Sequence, residues 1–552
     1  MSAATTRTVA DALAERLYAA GVRHAFGVPG GEVLTLMDAL ERAGIRFVLV
    51  RHETAGGFMA EGVWHATGAP GLLVATVGPG VANTINVVAN AAQDRVPLVV
   101  LTGCVDRALT AGYTHQIFDH RAVLGPITKL SLEVDAQAAP KQIDKALRVA
   151  QEGRPGPVHL DLPVEVALAP CASPLRVTPL TAPASPVGSD VFADARAKLA
   201  GAERPLLLVG LELARDAAAV RRAVSQLPGL PVLTTYKAKG ALAEDHPLCL
   251  GAAGLSPKAD ALLQPFVARA DVVVLAGYDP IEMRRSWCDP FGEGATVIEL
   301  ARTPNDHDVH AATHAFACDP AVGLDALTRD LAFASSTWPT GEPARLRAAL
   351  HAAFEPPSEE HAGRLSPGRA IDAIARATPA HARVTVDTGA HRILLSQQWR
   401  FQQAHRLLQS SGLCTMACAL PLAIGAKLAD PDTPVVCVLG DGGLEMALGD
   451  LATLRDLGLG LVVVVLDDQS LALIEKKQRA RGLPNVGVDF GAAREPEVLT
   501  QYAQIAHAFG GEGVLTSHAE GLREAVEEGL ANADRFTLIH VPVPRRAYDG
   551  AI

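Results

Sequence analysis

No stretch of this chain is apolar for long enough to cross a bilayer. The longest run, LGLGLVVVVL (457–466), falls well short of the roughly 20 residues that a spanning helix needs. The N-terminus, MSAATTRTVADALAERL, passes straight into an amphipathic helical pattern without the apolar core of a secretion signal. Basic blocks are missing as well. Lys and Arg number 49 against 60 Asp and Glu, a net charge of −11, which argues against nucleic acid or an anionic membrane as partner. Aromatics are only 4% of the residues, so burial must come from Ala, Gly, Val and Leu, a mixture that suits layers of helices on sheets. Cysteine is sparse and scattered. Eight occur, none in a CxxC, and Cys414 and Cys418 have no companion ligands, which excludes a zinc framework and points to free thiols in a reducing compartment. The expectation is a cytoplasmic protein with no nucleic-acid or membrane partner.

What the chain does have is three blocks of alternating apolar runs and helical patterns, too much for one core at 552 residues. The first carries RFVLV, GLLVATV, PLVVLTG and GPVHLDL; the second PLLLVG, PVLTTY, DVVVLAG and ATVIEL; the third RVTVDTG, PVVCVLGDGG, LVVVVLDDQ and FTLIHVPV. Continuous apolar strands between helices indicate parallel sheets covered on both faces, so the fold class is α/β, with three doubly wound domains. Pro- and Ser-rich stretches place the boundaries at 1–167, a linker 168–189, 190–345, a linker 346–366, and 367–552. No GxGxxG follows a strand in the middle block, which weighs against a dinucleotide reader.

Ligands of such sheets sit where strands end. Two strands of the third block end in acid, VVCVLGDGG at Asp441 and VVVVLDDQS at Asp468. The 27 residues between them hold one helix, expected over about 445–457, and a returning strand, so the two strands can be neighbours with both carboxylates at one sheet edge. Hard oxygen ligands suit Mg2+ or Ca2+, and a glycine-rich turn offers N–H groups to a phosphate. Two unrelated acidic turns would look the same at this level.

GDGG followed by LDDQS resembles the motif of thiamine-diphosphate enzymes, and the whole chain is similar to the acetolactate synthase and pyruvate decarboxylase-like group, in its motifs most of all to catabolic acetolactate synthases. The resemblance implies domains that bind the pyrimidine, occupy the centre and bind the diphosphate, in that order. It implies that Asp441, the Asp468 side chain and the Ser470 carbonyl hold Mg2+, with Asp468 standing where Asn is usual, and that Gly440, Gly442 and Gly443 lie against the diphosphate. RHETAGGFMAEG resembles the segment that supplies the activating glutamate, here Glu53, whose carboxyl would exchange a proton with pyrimidine N1′. Glu61, eight residues on, reads as structural. VPGGE and TVGPGVAN would bring Gly30, Gly31 and Asn83 to the cofactor from a partner subunit. SSGLCTMACALP resembles the segment that bends the cofactor, with Met416 between the rings and the Cys414 carbonyl accepting from the 4′-amino group; Cys414 replaces the usual Gly. Because Glu53 and Asp441 lie in different blocks, the resemblance implies a homodimer or homotetramer with sites at subunit interfaces.

The same resemblance implies a 2-keto acid substrate. GYTHQIFDH holds His115 and His120 but no adjacent pair for proton work, whereas Gln116 falls on a glutamine of acetolactate synthases that faces the reacting carbons, and a neutral amide there favours carboligation. Val164 stands where biosynthetic members have Lys, and Lys477 where they have Trp; Lys477 reads equally as an anion grip or a solvated helix residue, while Leu473 and Ile474 wall the pocket. The alternatives left open are a non-ligating decarboxylase, a C–C lyase or hydrolase on the same scaffold, and a silent homologue. FAD is admitted as a structural passenger and is not favoured.

Overall fold

The runs of Val, Leu and Ile pair into three six-stranded sheets in which every ladder is parallel. They belong to a computed structural model that describes residues 7–174, 177–182, 184–356, 364–490 and 500–552. The first sheet is built from His24–Val28, Arg46–Leu49, Gly71–Ala75, Leu98–Cys104, Leu130–Glu133 and Val158–Pro163. Numbered along the chain, its strands lie in the order 2-1-3-4-6-5. The third sheet, from Arg383–Val386 to Thr537–Pro542, repeats that order, while the central sheet, from Pro205–Val209 to His314–Ala317, reads 3-2-1-4-5-6. Central strands such as Gly71–Ala75 and Val462–Asp467 are buried along their whole length, which is why they read as unbroken apolar runs rather than as alternations.

Helices begin where a short polar side chain can accept from an orphan N–H: Thr8 with Asp11 forms a capping box, and Ser189, Ser256, Asp319 and Ser366 cap four more. The helix expected over about 445–457 is in fact two, Asp441–Met446 and Asp450–Leu457. Helix Glu342–Ala353 runs across the expected boundary at 345 into the stretch read as linker. Its Leu346 and Leu350, followed by Phe354, bury themselves with Phe266 and Trp338 of the central domain, so the Pro-rich composition starts only after an element that has an apolar face to hide.

Two features hold the domains in place. The first and third share one apolar core, in which Phe58, Met59 and Val63 pack with Leu422, Ala423 and Ile424. At its centre helices Glu53–Thr67 and Ala419–Ala429 approach backbone to backbone. A Cβ on Gly62 would stand 2.3 Å from the Leu422 carbonyl oxygen, and one on Gly425 only 1.9 Å from that of Met59. The central domain is tied to the first by ion pairs, Lys237 to Asp94 at 3.0 Å, Arg95 to Asp279 at 2.7 Å and Arg154 to Glu212 at 3.3 Å.

Candidate active site

Strands Val435–Gly440 and Val462–Asp467 are direct neighbours, so their ends lie side by side. Asp441 is the first residue of its helix, where the N-terminal peptide dipoles favour a negative charge, and it is buried. Asp468 is buried beside it. Both carboxylates accept from the Ser470 N–H at 3.2 Å, and Asp441 accepts from Gly442 N–H at 2.7 Å. Burial first, and then the neighbouring carboxylates of Asp468 and Asp467, hold Asp441 well above the usual carboxylate range; burial does the same to Asp468. The adjacent Asp467 has its charge answered by His540 at 2.8 Å and by the Gln469 N–H at 3.0 Å. Asp468 does not: its Oδ2 is buried without a partner. Two crowded carboxylates with a spare oxygen are what a divalent cation relieves, so the donor set fits Mg2+ with a backbone carbonyl as further ligand. Among the described residues no cluster of three or more His, Cys, Asp or Glu side chains could hold a metal.

A pocket opens on this pair. It gathers Met416, Gly440, Asp441, Gly442, Gly443, Asp468, Ser470, Leu473 and Ile474 from the sequence expectation. It also gathers eight that the sequence reading missed: Thr388, Gly389, Ala390 and His391 after strand Arg383–Val386, Leu466, Leu471 and Ala472 around the second acidic turn, and Tyr548 near the C-terminus. His391 is neutral, its pKa driven down to about 4 by burial, its Nε2 is buried without a partner, and its ring edge lies against Gly440. A glycine-lined strand end suits a diphosphate. Tyr548 is carried in by a terminal segment pinned through Arg546 to Glu475 at 2.9 Å and through Asp549 to Arg479 at 2.8 Å.

Cys414 and Met416 lie on the turn before helix Ala419–Ala429. Cys414 sits at φ +54°, in the left-handed region where glycine is at ease, and Ala417 at +64°. The Cys414 Sγ lies 3.3 Å from Arg392 Nη2 and donates to the Ser411 carbonyl at 3.0 Å.

The first domain assembles a second group of site residues at its own strand ends. Glu53 opens helix Glu53–Thr67, is buried, and accepts from Asn83 Nδ2 at 2.9 Å. Glu61 instead serves the core, buried against Asn90 at 3.2 Å and His65 at 3.3 Å. Gly31 faces open space, whereas a Cβ on Gly30 would strike Thr76 Oγ1 at 2.1 Å, so Gly30 answers to packing. Gln116 is exposed on its loop and lies against Gly78, whose added Cβ would meet the Gln116 carbonyl oxygen at 2.5 Å. His120 is buried on Asp161 at 3.0 Å and His115 is exposed. None of these residues lines the pocket at Asp441 within one chain. Lys477 is exposed and outside that pocket, and Val164 is half-buried at the start of helix Val164–Leu168.

At the switch point of the central sheet, between Pro205–Val209 and Val272–Ala276, the strand ends are closed on each other. A Cβ on Gly210 would stand 2.4 Å from the Gly277 carbonyl oxygen, and the buried carboxylates of Glu212 and Asp279 already take Arg154 and Arg95.

Comparison with known proteins agrees with this geometry. Residues 7–123, 192–327 and 387–541 match the models described as the N-terminal TPP binding domain, the central domain and the C-terminal TPP binding domain of thiamine pyrophosphate enzymes. The acetolactate synthase of Bacillus subtilis is 31% identical over 558 residues, covering 97% of this chain and 92% of its own. The acetolactate synthase isozyme 1 large subunit of Escherichia coli is 30% identical, covering 97% and 94%. A Pseudomonas aeruginosa protein named "Probable 2-ketoarginine decarboxylase AruI" is 31% identical, covering 92% and 93%.

Proposed function

Because this chain belongs to the thiamine pyrophosphate enzymes, and among them to the acetolactate synthase family, we propose that it decarboxylates a pyruvate-like 2-keto acid and joins the remaining fragment to a second carbonyl compound. The observation that carries this reading is the buried pair Asp441 and Asp468, with its unpartnered oxygen, at the mouth of a glycine-lined pocket. The two side chains and the Ser470 carbonyl hold Mg2+, and Gly440, Gly442, Gly443 and His391 face the diphosphate. Met416 would pack against the cofactor, while Leu473 and Ile474 would keep water from the reacting end. When bound, thiamine diphosphate would supply a nucleophilic carbon and a sink for the electron pair left by CO2. Glu53, oriented by Asn83, holds and returns the proton at pyrimidine N1′. Since Glu53 and Asp441 do not share a pocket within one chain, Glu53 comes from a second copy, and the working unit is at least a dimer. Gln116 has no proton to give near neutral pH, which favours carbon–carbon bond formation over simple protonation.

A second reading, decarboxylation without ligation, is favoured by the relative named as a 2-ketoarginine decarboxylase. Incubation with thiamine diphosphate, Mg2+ and pairs of 2-keto acids or aldehydes, followed by mass spectrometry, separates the two. Pyruvate is expected to give CO2 and acetolactate. Aldehyde from every donor, with no new carbon–carbon bond, would establish the decarboxylase instead.

A further inference from the structure

Asp387 follows strand Arg383–Val386, does not line the pocket at Asp441 and is 1% exposed. Its N–H donates to the Val438 carbonyl at 3.0 Å, which locks it beside the strand that leads to Asp441. Its carboxylate reaches two elements on opposite walls of the cofactor pocket. Oδ1 accepts from the N–H of Cys418 at 2.9 Å and of Ala419 at 3.3 Å, and Oδ2 accepts from the N–H of Ala417 at 2.9 Å. Those three donors are the end of the turn that carries Met416, and they include the left-handed Ala417. On its other side Oδ2 fills the space above the metal turn, 2.1 Å from where a Cβ on Gly443 would be. One carboxylate thus braces the turn bearing Met416 against the turn bearing Asp441, 29 and 54 residues further along the chain.

A helix cap alone would not need this arrangement. A capping side chain comes from the residue just before its helix, whereas Asp387 is remote and comes from the neighbouring strand end. The contact with Gly443 serves no cap at all. Burial pushes its carboxyl up while the peptide N–H groups pull it down, the balance of an acceptor held for its geometry.

Resting on the cofactor reading above, we propose that Asp387 is a positioning residue that sets the spacing between Met416 and the Asp441–Gly443 turn, and so the width of the thiamine diphosphate site. Replacing it by Asn keeps one acceptor oxygen for Cys418 and Ala419, so helix Ala419–Ala429 stays capped, but turns an NH2 toward the Ala417 N–H and Gly443. The Met416 turn is released without loss of either proposed metal ligand.

The test compares wild type, Asp387→Asn and Ser189→Ala, the last removing an ordinary helix cap in the central domain, where Ser189 accepts from the Phe192 N–H at 3.2 Å. Each is measured by calorimetry for thiamine diphosphate with Mg2+, by near-ultraviolet circular dichroism of the bound cofactor, and by thermal melting without cofactor. Asp387→Asn is expected to weaken cofactor binding by about 10–100-fold and to alter the dichroism of the bound ring, as loss of a buried orienting partner does. Ser189→Ala is expected to lower the melting temperature with affinity and dichroism unchanged. If Asp387→Asn also keeps wild-type affinity and dichroism, the carboxylate is only a cap and the proposal is overturned. Failure of wild type to bind thiamine diphosphate would instead remove the functional reading on which it rests. Should Asp387→Asn not fold, Gly443→Ala, which presses on the same oxygen, is expected to give the same loss of affinity, and wild-type affinity there overturns the proposal.

Discussion

The first and third domains share one strand order and carry opposite chemistry. In both, the third strand turns into a helix through a glycine pair, Gly78-Pro79-Gly80 in one and Gly440-Asp441-Gly442 in the other, with the middle residue as the first of the helix. Proline there sets the helix direction and brings no ligand; aspartate brings a carboxylate to the positive end of the same dipole. The first domain keeps its acid one strand earlier in the chain, at Glu53 after the second strand, and uses the helix behind Pro79 to hold it through Asn83. A common backbone therefore fixes where the loops meet. On the proposed function, one residue in a turn would decide whether that meeting place binds a cation or positions a proton.

The sharpest way to break this division is to exchange what each carboxylate does. Glu53→Gln is expected to keep fold and cofactor affinity while turnover falls by about 10²–10⁴-fold, because the amide cannot exchange the N1′ proton. Near wild-type turnover would remove Glu53 from the mechanism. Asp441→Ala should cost cofactor affinity rather than chemistry, by on the order of 100-fold, read by calorimetry with and without Mg2+; Asp468→Asn should be mild, since an amide oxygen can still ligate. Mixing the Glu53→Gln and Asp441→Ala chains tests the division directly. If the domains of two copies meet, the mixed dimer contains one intact site, and activity should return to about a quarter of wild type, on the expectation that random pairing makes half the dimers mixed and each has one site of two.

Smaller effects probe the seam between the domains. Gly425→Ala places a methyl on the Met59 carbonyl and should cost about 1–3 kcal/mol in denaturant melts, as overpacking does. Cys414→Gly relieves a left-handed cysteine but gives up the contact with Arg392, so a gain of about 1 kcal/mol or less is expected, with cofactor affinity unchanged.

The fold was legible because its signals are local. Fully buried strands must be unbroken apolar runs, and helices between them must show a face. Asp441, Asp468 and the glycine turn were legible for the same reason, as acid at the end of such a run. Which of two adjacent aspartates has an oxygen to spare was not local: Asp467 meets His540, 73 residues away, and only pairing of the two strands brings that histidine in. His391 and Tyr548 were missed because their segments carry no pattern until the third sheet forms and the terminus folds back. Lys477 was undecidable in sequence, since a helix surface is known only when something packs on it, and among the described residues it stays exposed.

The glycine seam has a consequence for how two sites could sense each other. Glu53 is the first residue of one helix of the seam, and Met416 precedes the first turn of the other. With Gly62 and Gly425 locking the two axes backbone to backbone, neither helix can slide without dragging its neighbour. Each chain would then be a stiff lever between the pocket it furnishes with Met416 and the pocket to which it lends Glu53. Filling one should be felt at the other as a change in affinity, and the lever should slacken in Gly425→Ala, leaving binding curves for successive sites superimposable.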